Sequence, residues 1–324
     1  MKKILVTGGA GYIGSACTEY LLDMGYDVTV FDALITGHRA AVDPRAAFVE
    51  GNLSDRALIF DVCRKGNFDA VMHFAAFSLV GESMKNPGKY FGNNLANGIN
   101  LADAAVESGV KTFVFSSTAA TFGDPENVPI KEDDRQVPIN PYGESKLCFE
   151  KVLKWYSQIY GMKYAALRYF NAAGATALHG EDHRPESHLI PIILETLRGK
   201  REKLMLFGDD YDTPDGSCIR DYIHILDLAQ AHELALSAPE SGHYNLGTGN
   251  GLSVFEILKA AEKVTGKKVN FEIAPRRPGD PARLIACSDK ARKMLNWQPK
   301  YESAEAIIES AWKWQLKFPE GYAE

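Results

Sequence analysis

Short apolar runs rich in β-branched and aromatic residues recur through the first half of the chain: KILVT, DVTVF, AFVEG, AVMHF, TFVFSS and YAALRYF. Their near-continuous hydrophobicity, bounded by glycine or polar residues, reads as strands buried on both faces. Between them, apolar positions fall at three-to-four spacing over residues 12–24, 54–65, 88–108 and 142–160, which predicts helices. Such alternation implies an α/β fold, a doubly wound parallel (Rossmann-type) sheet covered by helices on both sides.

Beyond about residue 170 the rhythm changes to a polar loop, HGEDHRPESH, and then to mixed strands, short helices and turns such as RRPGDPA. This divides the chain into a dinucleotide-type domain, 1–170, and a smaller mixed α/β C-terminal lobe, 171–324, which holds the substrate. A helix and a strand from the second half are expected to return to the first domain. SAEAIIESAWKWQLKF reads as a closing amphipathic helix, with Trp312 and Trp314 as packing or interface residues.

Of 324 residues, 45% are hydrophobic and 24% charged, the mix of a globular protein. The net charge of −6 provides no global basic field, so neither nucleic acid nor an anionic membrane is an expected partner. An anionic ligand must then be met by local arginines. Cys17, Cys63, Cys148, Cys218 and Cys287 are scattered and form no CxxC spacing, which reads as reduced thiols in a cytoplasmic protein. The apolar run in MKKILVTGGAG is too short for a signal peptide, and no stretch approaches a membrane span.

KILVT runs directly into GGAGYIG, where Gly8, Gly11 and Gly14 are spaced three apart and Gly9, Gly11 and Gly14 satisfy GxGxxG. Placed between a strand and a helix, these glycines let a pyrophosphate approach the backbone at a helix N-terminus. Asp32 ends the next strand at the distance required for a carboxylate that binds the adenosine ribose hydroxyls and repels a 2′-phosphate. The cofactor read from this pattern is NAD rather than NADP, with nearby Arg39 as the one contrary charge.

NPYGESK places Tyr142 and Lys146 one helical turn apart. The segment is either a plain helix start with Pro141 in its first turn or a catalytic pair. Lowering a phenol from a pKa near 10 to about 7 takes roughly 4 kcal/mol, and an adjacent ammonium and an oxidised nicotinamide both act in that direction. The preceding strand ends in hydroxyls, Ser116, Ser117 and Thr118, at the carboxyl edge where doubly wound sheets bind ligands.

VTGGAGYIGS, HFAA, VGES, SSTAATFGD, NPYGESK, LRYFNAAGA, DGSCIRDYIHILDLA, YNLGTGNG and RRPGDPA together resemble the extended short-chain dehydrogenase/reductases, and among them the UDP-glucose 4-epimerase family, over nearly the whole chain. The resemblance implies that Tyr142 is the base at the sugar C4 hydroxyl. Lys146 would bind the nicotinamide ribose and lower the tyrosine pKa, and Thr118 would hydrogen-bond the reacting hydroxyl. It further implies NAD contacts from Gly8, Gly11, Tyr12, Ile13, Gly14, Asp32, Leu53, Phe74, Ala75, Ala76, Asn93, Ser116 and Phe170. Asn52 stands where an Asp commonly meets the adenine, and Ser78 where a Lys commonly meets the pyrophosphate.

For the UDP-sugar, the resemblance implies contacts from Asn171, His188, Leu189, Met205, Leu206, Phe207, Arg220, Arg277 and Asp280, and places the selectivity gate beside C2 of the sugar at Leu284. A bulky Leu there favours glucose and galactose over N-acetylhexosamines, with UDP-pentoses a further alternative. Dehydratases and decarboxylases of the superfamily carry an acid after the strand-end hydroxyl, whereas Ala119 and Ala120 follow Thr118 here. A non-catalytic dinucleotide-binding regulator is the contrasting reading, and it has no need of Thr118, Tyr142 and Lys146 together. A homodimer is expected, packed through the helices at 88–108 and 142–160. His179, Glu181, Asp182, His183 and His188 crowd one loop, but their spacing fits no compact zinc motif. No metal is therefore expected, and the loop reads as a solvated one on the substrate side.

Overall fold

The computed structural model describes residues 2–277 and 280–323. Pro278 and Gly279 of the RRPGDPA motif lie outside the described residues. Six strands arise in order: β1 (Lys3–Thr7), β2 (Asp27–Asp32), β3 (Ala47–Glu50), β4 (Ala70–His73), β5 (Thr112–Thr118) and β6 (Lys163–Tyr169). The chain then leaves through β7 (Asn171–Ala173), β8 (Leu204–Phe207), β9 (Ile219–Arg220) and β10 (Tyr222–His224), and returns with β11 (Gly242–Leu246). The large sheet runs β11-β6-β5-β4-β1-β2-β3. Every pairing in it is parallel.

The apolar strands are continuous because each serves two cores. In β1, Ile4 and Val6 join one cluster with Leu228 and Ala231, while Leu5 joins another with Ile59, Leu101 and Phe149. Side chains alternate across a strand, so a one-residue slip would exchange these two layers. The first layer holds α1 (Tyr12–Asp23) and, returning from the second half, the helix at Ile225–Ala235. The second holds α2 (Arg56–Gly66), α5 (Asn97–Glu107) and α6 (Pro141–Tyr160). Strand order reverses between β1 and β4, and the crevice outside their carboxyl ends is where such sheets take dinucleotides.

The smaller lobe has its own core, in which Ile190, Leu194 and Leu204 pack against Ile257, Ala261 and Ile308. No helix in the described residues is long and apolar enough to cross a membrane.

One predicted helix is not regular. After the short α3 (Val80–Ser83), residues 88–108 form α4 (Pro87–Tyr90), a π-helical stretch (Phe91–Ala96) and then α5. The widened turn carries Asn94 inward, where its amide accepts from Phe77 N at 2.9 Å and donates to Phe77 O at 3.0 Å. This pairing fixes the loop after β4 and sets Asn93 on the cleft wall. Such π-turns occur disproportionately at functional sites.

Candidate active site

A cleft of about 1420 Å³ runs from the glycine loop, past the end of β5, to the smaller lobe. It exceeds the roughly 300–1,000 Å³ of a single small-molecule pocket and has room for two ligands end to end. Gly8, Gly11, Tyr12, Ile13, Gly14, Asp32, Asn52, Leu53, Phe74, Ala75, Ala76, Ser78, Asn93 and Phe170 line one part of it. Ser116, Thr118, Tyr142 and Lys146 lie at its centre, and Asn171, His188, Leu189, Asp280 and Leu284 wall the other part.

The cofactor end is built by close packing. A Cβ on Gly14 would stand 2.1 Å from Gly8 O, so α1 can start this tightly against the loop only with glycine. Gly11 precedes the helix with no side-chain cap on the first-turn amides. A Cβ at Gly11 would have only Gly8 O within 4 Å, which leaves its backbone open to an approaching group. Uncapped amides and an open backbone together fit a pyrophosphate. Asp32 accepts from Ala10 N and Leu34 N, each at 2.9 Å, which fixes its carboxylate at the rim of the loop. The donor set therefore fits NAD.

The reactive centre depends on how α6 begins. Asn140 accepts from Gly143 N at 2.8 Å and Pro141 occupies the first turn, so the helix start is fully specified by NPYG. A Cβ on Gly143 would sit 2.4 Å from Ala120 O, which packs the helix start directly on the turn after Thr118. That approach brings Tyr142 to the Thr118 hydroxyl. Gly143→Val should therefore displace Tyr142. The expected result is a loss of at least about 10²-fold in kcat with NAD still bound, measured by turnover and by cofactor released on denaturation. Retained activity would refute the packing argument.

Lys146 is almost fully buried; its Nζ donates to Ser116 O at 2.8 Å and lies 4.8 Å from the centre of the Phe115 ring. Burial lowers its pKa to about 7, against the pull of Glu150 in the other direction. Burial likewise pushes the Tyr142 phenol above its ordinary value, and the hydrogen bond from Thr118 only partly opposes this. In the chain alone, burial penalises the charged form of both groups. A cation brought into the cleft would act in the opposite direction and favour the phenolate.

Below this centre, Glu150 is fully buried, accepts from Arg168 Nε at 2.9 Å and from Ser117 Oγ at 2.5 Å, and anchors the end of β5 to α6. Sequence reasoning did not find this network, because its charges look like surface residues until the strand and helix are packed. It also missed Lys89 and Glu82, which line the cleft as a pair at 2.7 Å, with Lys89 Nζ 4.0 Å over the Phe77 ring beside Ser78. Tyr322 was missed as well; it lines the cleft from the C-terminal tail and stacks on His38 at 5.3 Å.

Five expected substrate contacts are not on the cleft wall. Arg220 pairs with Asp280, and Arg277 lies 4.0 Å over the Phe207 ring, so both stand behind or beside the wall. Met205 and Phe207 are half-exposed on β8, whereas Leu206 turns into the lobe's core, so any contact from Leu206 falls to its backbone.

The loop expected to be merely solvated is instead folded. His188 Nδ1 lies 2.8 Å from Glu181 Oε1, and His183 Nδ1 lies 3.2 Å from the same oxygen. Burial works against charge on both imidazoles, but the Glu181 and Glu186 carboxylates outweigh it and hold His183 at about 9 and His188 at about 10.

Comparison with known proteins agrees with this geometry. Residues 4–247 match the NAD dependent epimerase/dehydratase family. The UDP-glucose 4-epimerase of Streptococcus mutans serotype c is 55% identical, with 98% of each chain covered. A crystal structure of a UDP-glucose 4-epimerase superposes with a TM-score of 0.97 at 51% identity over 100% of both chains. The enzyme from Bifidobacterium longum, solved with NAD+ and UDP, gives 0.94 at 37% identity, covering 99% of this chain and 100% of that one. The chain belongs to the NAD dependent epimerase/dehydratase family, among its UDP-glucose 4-epimerases.

Proposed function

We propose that the cleft interconverts UDP-galactose and UDP-glucose, with NAD retained throughout the cycle. The observation that carries this reading is the meeting of Thr118, Tyr142 and Lys146 at the centre of one cleft whose two ends suit a dinucleotide and a second ligand. Bound NAD supplies the hydride acceptor for the first half of the reaction and the donor for the second. Tyr142 takes the C4 hydroxyl proton as that hydride leaves and returns a proton when it comes back. Thr118 holds the same hydroxyl in line, and Lys146 positions the nicotinamide ribose from the floor of the site. The 4-keto sugar must turn over between the two halves, inside the cleft of about 1420 Å³.

The diphosphate is assigned to the Asn171 side, with Arg220 and Arg277 as the phosphate-facing charges once UDP is seated. Arg suits that role because its planar fork grips two phosphate oxygens at once. Leu284 lines the cleft, and its bulk is assigned the role of limiting room for an acetamido group at C2. Kinetics with UDP-galactose, UDP-N-acetylgalactosamine and UDP-arabinose, without added NAD, test the assignment. UDP-galactose should turn over freely and the N-acetyl sugar about 10- to 100-fold less efficiently; equal kcat/KM values would remove Leu284 as the gate. No turnover of UDP-galactose by protein containing NAD would refute the function itself.

The free thiols of all five cysteines suit a reducing cytoplasm. The exposed Trp155 and Ile159 on α6 suit a helix-to-helix contact between two copies. Scattering or sedimentation giving a monomer at micromolar concentration would refute the dimer.

A further inference from the structure

The loop at residues 180–188 folds four side chains into one knot beside the cleft. Glu181, His183, Glu186 and His188 each present one ligand atom, all within 4.8 Å of one another. His188 Nδ1 is 2.8 Å from Glu181 Oε1 and 3.2 Å from Glu186 Oε1. His183 Nδ1 is 3.2 Å from Glu181 Oε1 and 3.7 Å from Glu186 Oε2. Nitrogen and oxygen ligands about 2.0–2.1 Å from a tetrahedral zinc ion stand about 3.3–3.4 Å from each other. The four His–Glu separations, four of the six edges of such a tetrahedron, lie on both sides of that length, Glu186 offers one oxygen to each histidine, and all four ligand atoms lie within 4.8 Å of one another.

Two further observations point to a ligand. The carboxylates of Glu181 and Glu186 are only 8% and 5% exposed, so their charge must be balanced inside the loop, either by a bound cation or by the two imidazoliums. His183 Nδ1 is buried, faces both carboxylates and completes a hydrogen bond with neither. Glu186 is oriented from behind, since its Oε1 accepts from Ser187 N at 2.7 Å and His188 N at 2.8 Å, as the carboxylate ligands of metal sites usually are.

We propose that Glu181, His183, Glu186 and His188 form a closed, structural binding site for a zinc-class dication. Two imidazoles and two carboxylates suit zinc, whereas magnesium and calcium take oxygen ligands. Four protein ligands leave no open position, so the ion takes no part in the hydride chemistry. One dication cancels the charge of the two carboxylates with both imidazoles neutral; without it, the same balance rests on their protonation. The sequence spacing hid the set because it comes together only when the loop turns back on itself. The His183 ring stands edge-on to Tyr12 at 6.3 Å, so the ion would fasten the loop to the first turn of α1.

The test uses the full chain with its NAD. Protein is treated with EDTA, exchanged into metal-free buffer, incubated with excess ZnCl2 and dialysed, and zinc per chain is then measured by mass spectrometry. The expected result is about one zinc per chain and, with zinc in excess of its Kd, a melting temperature several degrees above the EDTA-treated sample. Glu186→Gln should retain NAD and bind zinc at least about 10-fold more weakly. Zinc below about 0.1 per chain after dialysis, no thermal shift in the wild type, or unchanged zinc binding by Glu186→Gln would each overturn the proposal. The wild-type arms stand even if the variant does not fold.

Discussion

Tyr142→Phe is expected to fold, keep its NAD and lose about 10³-fold or more in kcat with UDP-galactose. The substitution removes one oxygen and keeps the ring, which rests edge-on against Tyr90 at 6.4 Å. Stability should change by no more than about 1 kcal/mol, the typical net contribution of one hydrogen bond. Activity should fall at the upper end of what a positioned acid–base group supplies, about 10²–10⁴-fold, because the same hydroxyl serves both halves of the cycle. The paired measurement is the phenol's ionisation, followed by ultraviolet difference absorbance in wild type against the Phe variant. It should lie above 10 in the NAD-stripped chain, where burial dominates, and fall when NAD+ is added. A variant retaining a tenth of wild-type turnover would remove Tyr142 from the reaction.

Lys146→Met is expected to have opposite effects on activity and stability. In the NAD-stripped chain the ammonium is buried with one carbonyl as its hydrogen-bond partner, Ser116 O, and burial brings its pKa to about 7. The unfolded chain has an ordinary lysine near 10.4. Below pH 7 both states are protonated and the folded state carries the whole desolvation cost. Between about 7 and 10 the unfolded state binds a proton that the folded state does not, so stability rises with pH through that window and the cost fades. Methionine removes the charge at every pH. Its melting temperature should therefore exceed that of the wild type by several degrees at pH 6, with the gap narrowing towards pH 10, while kcat falls about 10²-fold or more. A gap that widens with pH would show that Lys146 is not buried as a charge. The same lysine would then be stabilising in the fold, rather than a residue kept for chemistry at a cost in stability.

Much of the fold is legible in the sequence because its strands are buried on both faces. Apolar runs such as TFVFSS and YAALRYF leave no alternative to a covered parallel sheet, and β5 and β6 begin and end within a residue of those runs. The glycine loop and NPYG are equally legible, since each encodes a local backbone geometry. What depends on distant partners was not legible. The π-turn at Phe91–Ala96 follows from Asn94 reaching the Phe77 backbone, which no spacing in residues 88–108 announces. The Glu150–Arg168 pair, the Tyr322–His38 stack and the loop tetrad all need two segments placed side by side before their chemistry shows. The tyrosine–lysine pair marks the same boundary: the sequence located both groups, but the direction of their pKa shifts came from burial.

The strand β11 has a consequence for how the protein is made. It closes the open edge of β6, yet it emerges from the ribosome only after the loop, the helix at Leu189–Leu197 and the strands that build the smaller lobe. At about 5–20 residues per second, β6 leaves the ribosome several seconds before its partner is available. During that interval a largely apolar strand offers its hydrogen-bonding edge to any neighbour, including the same strand on an adjacent nascent chain. Slow translation across residues 171–246 is thus a hazard for this chain, and chaperones that cover strand edges have their greatest value there.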